Sequence, residues 1–135
     1  MLSRAFYLLL ISACVIMSAA VFTQEGHPLV GTWHGNWGTT ATNRSDITLV
    51  MDWDGKVISG VMNPGFDGLQ LQNAKLDPKD WTVHFEVDRK ENAGTVRCMV
   101  DGKIDKLGSD RRTLAGTYMC GATKGDFKLT RDRDY

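Results

Sequence analysis

From Leu29 onward the apolar residues recur at every second position, and breaks rich in Gly or Asp interrupt them every eight to twelve residues. Side chains two apart on an extended chain share a face, so this pattern buries one face of each segment and leaves the other in water. It predicts an all-β chain. Eight candidate strands follow, over residues 29–38, 46–53, 56–62, 69–76, 81–88, 95–104, 113–120 and 126–131. The first, LVGTWHGNWG, puts Gly31, Trp33, Gly35 and Trp37 on one parity. Large rings beside missing side chains suit the inner face of a tightly curved sheet.

Paired strands must present their apolar residues on one common face, which lets the hairpins be tested for register. Asp54-Gly55 is a two-residue turn signal that sets Met51 opposite Ile58, Leu49 opposite Gly60 and Ile47 opposite Met62. Pairing Phe85 with Cys98, across a loop at 89–94, sets Val87 against Val96 and Val83 against Val100. The next hairpin pairs Cys98 with Cys120, Val100 with Tyr118, Gly102 with Gly116 and Ile104 with Leu114. The last sets Cys120 against Phe127 and Tyr118 against Leu129. In the fourth strand Leu69 and Leu71 have one parity and Ala74 and Leu76 the other, and a one-residue bulge near Gln72 or Asn73 would turn both pairs inward. Eight sequential antiparallel strands with short links close most simply into an up-and-down β-barrel, which leaves no free edges. A β-sandwich is the alternative.

At GTWHG, residues 31–35, the chain resembles the calycin superfamily of lipocalins, fatty-acid-binding proteins and avidins, whose barrels open with a Gly-x-Trp element. The stretch LAGTYMCGATKGDFKLTR, residues 114–131, resembles the closing hairpin of small bacterial lipocalin-like or avidin-like barrels. The resemblance implies a lipocalin-like barrel with one closed and one open end that holds an apolar small molecule. It also implies that Trp33 seals the closed end and that Arg131 packs across it. The strands are shorter than a typical lipocalin's, and avidin's biotin-contacting residues have no one-to-one match here, so no vitamin or lipid specificity is carried over.

In an up-and-down barrel the strand direction gives each inward residue a height. Trp33, Trp53 and Trp81 fall at the closed end with Ile104 and Leu114, where bulky rings fill a narrow base, each burying on the order of 200 Å². Higher up, the inward set is Trp37, Ile47, Met62, Phe85, Val87, Tyr118 and Phe127, with Phe66 on a mouth loop. These seven are the candidate ligand-binding residues, apolar walls with one hydroxyl from Tyr118. The same residues could instead fill the barrel completely, and the inward glycines Gly35, Gly60, Gly102 and Gly116 either open room for a ligand or let the strands bend.

The first twenty residues read as a signal peptide: a basic start at Arg4, an apolar run over 5–17, and Ser18-Ala19-Ala20 for a peptidase. An N-terminal extension at 21–28, a barrel domain at 29–131 and a charged tail at 132–135 follow. Ile11-Ser12-Ala13-Cys14 is also a lipoprotein-like box, although the apolar residues after Cys14 argue against lipidation there. The expected location is secreted or periplasmic, with no membrane insertion after cleavage. Cys98 and Cys120 then remain in an oxidising compartment and face each other in the derived register, so a cross-strand disulfide is expected, with a reduced buried pair as the alternative.

Cleavage removes Arg4 and no acid from a chain with 16 basic and 16 acidic residues, leaving no basic stripe for nucleic acid. No nucleophile elbow, HExxH pair or phosphate-binding glycine loop is present. His34 and His84 carry outward parity and His27 precedes the first strand, so no catalytic site, metal site or cofactor is expected. The sequence thus points to an exported, non-enzymatic barrel that binds a small, mainly apolar molecule non-covalently. The alternative is a filled barrel that engages a protein partner through its loops, in the manner of small periplasmic protease inhibitors.

Overall fold

The structure, a computed structural model, describes residues 27–133. The leader, its cleavage site, Cys14 and most of the 21–28 extension lie outside the described residues, as do the last two residues of the tail. Nine strands make one antiparallel sheet: β1 (Gly31–Gly38), β2 (Arg44–Trp53), β3 (Ile58–Met62), β4 (Leu69–Gln70), β5 (Gln72–Asp77), β6 (Thr82–Glu91), β7 (Gly94–Asp105), β8 (Thr113–Cys120) and β9 (Thr123–Arg131). Their spatial order is β4-β3-β2-β1-β9-β8-β7-β6-β5, so that the first strand pairs with the last and the sheet curls into a nearly closed barrel.

The strand count exceeds the expected eight because the fourth run divides at Leu71. Its first part pairs with β3, Leu69 opposite Met62, and its second part pairs with β6. Leu71 is the crossing point, its N–H donating to the Gly60 carbonyl at 3.0 Å. The bulge expected near Gln72 or Asn73 is there: the β5–β6 register shifts between Gln72 and Lys75, and Asn73 takes a left-handed φ of 51°, which Asn tolerates better than most residues. As a result Leu69, Leu71, Ala74 and Leu76 all pack against the core despite their mixed parity.

Of the four registers read from the sequence, β2–β3 and β6–β7 slide by two residues and β8–β9 by four, while the β7–β8 register, with Cys98 opposite Cys120, is as expected. In β2–β3, Leu49 faces Met62, Met51 faces Gly60 and Trp53 faces Ile58. Asp54 Oδ1 accepts from the N–H groups of Lys56 (2.8 Å) and Val57 (2.7 Å), which makes a four-residue turn where a two-residue one was expected. In β6–β7 the ladder runs on to Glu91 opposite Gly94, so Phe85 meets Val100, Val87 meets Cys98 and Val83 meets Gly102. In β8–β9 it runs to Cys120 opposite Thr123, so Gly116 meets Phe127 and Leu114 meets Leu129. Both tight turns use a glycine at positive φ, Gly94 at 128° and Gly121 at 61°, which lets the backbone reverse without a loop. A slide by an even number of residues leaves every side chain on its expected face and changes only its height.

The core is the barrel interior. Leu29, Trp33, Leu49, Val87, Cys98, Leu114 and Leu129 are fully buried, and Met51, Val83, Val100 and Ile104 nearly so. At the closed end the segment before β1 folds under the barrel. Leu29 inserts, its carbonyl accepts from Trp33 Nε1–H at 2.8 Å, and Arg112 Nη1 donates to the Pro28 carbonyl at 2.9 Å. Trp33 is directly opposite Arg131 across β1–β9, with the Arg131 side chain lying against Gly31.

The other two base tryptophans depart from expectation. Trp53 ends β2 with 39% of its surface exposed and stacks on the His27 ring, centroids 4.7 Å apart, because Leu29 and Trp33 already occupy the base. Trp81 sits in the turn before β6 with φ 60° and is only half-buried against the core.

Candidate functional site

The loops at 39–43 and 63–68 and the turns at 92–93 and 121–122 gather at the open end. A cleft of about 390 Å³ lies there, walled by Trp37, Met62, Phe66 and Leu69, with Arg89 and Lys90 on the β6 side. The loop 63–68 has a Pro-Gly step, and Asn63, at φ 51°, is fixed by accepting from the Thr48 N–H at 3.0 Å. That loop holds Phe66 wholly in solvent. A fully exposed aromatic ring beside a half-buried Trp37 gives the rim an apolar surface that the fold itself does not use.

The seven residues expected to line a cavity separate into groups. Trp37 and Met62 reach the cleft. Tyr118 packs against Trp37 with the rings tilted, centroids 4.7 Å apart and planes at 41°, and borders a second shallow hollow of about 360 Å³ with Met99, Met119 and Lys124. Ile47, Phe85, Val87 and Phe127 are buried within the core cluster.

Two of the inward glycines make room for the protein's own rings and strands. A Cβ on Gly102 would lie 2.8 Å from Phe127 Cζ, and one on Gly116 would lie 2.0 Å from the Asp101 carbonyl oxygen. Gly125 serves Tyr118 in the same way, since a Cβ there would come within 2.5 Å of the hydroxyl. The interior at these heights is therefore occupied by side chains, and the cleft lies above it at the rim.

Sequence reasoning placed Trp37, Met62 and Phe66 near the mouth and put residues 89–94 in a loop at the same end, but did not single out Leu69, Arg89 or Lys90 as lining. In the structure Arg89 and Lys90 border the cleft from the end of the β6 ladder and not from a loop. Cys98 and Cys120 are joined by a disulfide with Cα atoms 4.1 Å apart, both residues buried.

A second assembly lies on the outer wall, over β5, β6 and β7. His84, with outward parity as expected, is not simply solvated: Nδ1 is 2.7 Å from Asp101 Oδ1 and Nε2 is 2.8 Å from Glu86 Oε2. Arg97 bonds both oxygens of Asp88, at 2.9 and 3.1 Å, and donates to Gln72 Oε1 at 2.7 Å, while Gln72 Nε2 donates to Asp88 at 2.8 Å. Glu86 is 7% exposed, buried on the outside of the barrel under these neighbours, with Arg97 Nη1 3.4 Å from its other oxygen.

The hydrogen bond from His84 holds the Glu86 carboxyl below the usual carboxylate range, and the same bond raises His84 above its ordinary 6.5. Arg97 likewise holds Asp88 low. The signal available in the sequence was the run His84, Glu86, Asp88 at alternate positions of β6, facing Arg97 and Asp101 on β7. Among the described residues, no cluster of three or more His, Cys, Asp or Glu side chains is placed to hold a metal ion, and no helix is long and apolar enough to cross a membrane.

Compared with protein-family models, curated proteins and solved structures, the chain matches none.

Proposed function

We propose that this protein is exported and binds a small, mainly apolar molecule non-covalently at the rim of its barrel. The observation that carries the reading is the cleft of about 390 Å³ bounded by Trp37, Met62, Leu69 and the fully exposed Phe66. That volume lies at the lower end of the range for small-molecule sites, which are apolar with a few polar groups. The buried Cys98–Cys120 disulfide supports an oxidising compartment, outside the cell or in the periplasm, as the place of work.

Titrating the mature protein with a panel of apolar metabolites while following tryptophan emission tests this. A ligand in the cleft shifts the emission of wild type, and Trp37→Phe loses most of the response. A shift that survives unchanged in Trp37→Phe rejects the site.

Phe66 also favours a second reading, in which the rim engages a protein partner. An exposed aromatic on a projecting loop resembles the buried anchors that dominate protein interfaces. Native mass spectrometry of protein taken from its own host separates the two, by the mass of what stays bound and its loss in Phe66→Ser.

A further inference from the structure

The fourth segment closes the barrel with little backbone ladder. β4 has two residues, and the β5–β6 ladder is interrupted between Gln72 and Lys75. Where the ladder lapses, side chains take over. Gln72 is held by Asp88 and Arg97. It is also the ladder partner of Glu86, whose buried carboxylate is held by His84 and reached by Arg97, so this end of β5 rests on Glu86 both directly and through Arg97.

His84 has both ring nitrogens within 2.8 Å of carboxylate oxygens, which only accept hydrogen bonds. Both contacts can be N–H donors only when the ring is an imidazolium. A neutral ring carries one N–H, and its other nitrogen would oppose a carboxylate lone pair to lone pair.

We propose that His84 is a pH-responsive pin: as an imidazolium bridging Asp101 and Glu86 it holds Glu86 against the bulged end of β5, and loss of its proton loosens the Gln72–Asn73 end of the closing segment.

The charged groups around the pin come from all three strands. β6 supplies His84, Glu86 and Asp88; β7 supplies Arg97 and Asp101; β5 supplies Lys75, paired directly with His84, and Asp77, and these two border a hollow on the outer wall together with His84 and Asp101. Lys75 opposes the imidazolium, but two carboxylates bond it directly. The bond to Glu86 is the larger influence and raises His84 above 6.5. A group raised on folding contributes its stabilisation fully below its unfolded value and loses it as pH rises through the folded one. The pin is therefore set below the ordinary 6.5 and released as pH rises through the higher folded value. Leu69, in β4 and separated from Gln72 only by Gln70 and Leu71, is a wall of the cleft, so release also loosens one side of the mouth.

The test uses the mature wild-type protein and His84→Gln. Site-resolved NMR follows the His84 ring between about pH 5.5 and about pH 8.5. Amide exchange, corrected for its intrinsic pH dependence, gives protection at Gln72, Asn73 and Ala74 over the same range. The expected result is a ring midpoint above 6.5 and a fall in protection of roughly three- to tenfold at that midpoint, the scale of one charge-assisted hydrogen bond at a half-exposed site. Leu114, on the far wall, shows no such step, and His84→Gln shows none at Gln72–Ala74. A ring midpoint at or below 6.5 overturns the proposal. So does protection that is flat through the titration, or a step that persists in His84→Gln.

Discussion

Reducing the Cys98–Cys120 bond tests how much of the barrel's stability comes from restricting its unfolded chain. The bond ties β7 to β8 directly across the ladder, at a sequence separation of 22. In the chain-entropy treatment a closed loop of that length is worth roughly 3 kcal/mol at 25 °C. For a domain of about this size the loss lowers the melting midpoint by on the order of 10 °C. Urea unfolding of the oxidised and reduced mature protein, followed by both tryptophan emission and far-UV circular dichroism, gives the difference without altering any side-chain volume. The urea dependence should also steepen on reduction, because an uncrosslinked chain exposes more surface when it unfolds. If the two forms differ by less than about 0.5 kcal/mol, the loop-restriction argument fails. Two titratable thiols in the denatured, unreduced mature protein would show that the bond is not made.

Three further outcomes are expected. Trp33→Phe keeps an aromatic ring but loses the indole N–H that reaches the Leu29 carbonyl and part of the buried volume, and should cost at least about 1–3 kcal/mol in urea unfolding, with the cleft's ligand response unchanged. Gly116→Val should fail to give soluble folded protein, because the new Cβ would meet the Asp101 carbonyl oxygen at 2.0 Å and the β7–β8 ladder would have to part. Stability should also decline on acidification: Glu86 and Asp88 are held below their ordinary 4.5 and 3.8, so the unfolded chain binds protons first and their contribution is lost as pH falls through the lower folded values. Arg97→Gln should flatten that acid limb in denaturation curves measured across pH.

Much of the fold was legible in the sequence because the period-two pattern specifies faces. The fourth strand is the clearest instance: the parity change between Leu71 and Ala74 demanded a bulge, and Asn73 supplies it. What the pattern does not specify is height, since sliding a hairpin by an even number of residues preserves every facing. Three hairpins slid in this way, each according to its turn. Asp54 caps two N–H groups and lengthens its turn, whereas Gly94 and Gly121 permit reversals tight enough to extend their ladders. Height in turn decides what lies at the mouth. Arg89 and Lys90 border the cleft from the end of a longer β6 ladder and not from a mouth loop, and Trp53, inward by parity, projects past the filled base.

Glu86 was harder to read. Alternation marks it as outward, and so it is, but its burial comes from a blanket of polar neighbours on three strands that alternation does not reveal.

The central claim is that the barrel is filled below and available only at its rim, and the methionines report on it most directly. Met62 lies at the cleft, Met51 lies buried toward the closed end, and Met99 and Met119 are exposed on the outer wall. Methyl NMR of the mature protein titrated with an apolar metabolite that moves tryptophan emission should shift Met62 and leave Met51, Met99 and Met119 in place. A shift at Met51 would put the ligand inside the barrel and contradict the filled interior; a shift confined to Met99 and Met119 would remove binding from the mouth altogether.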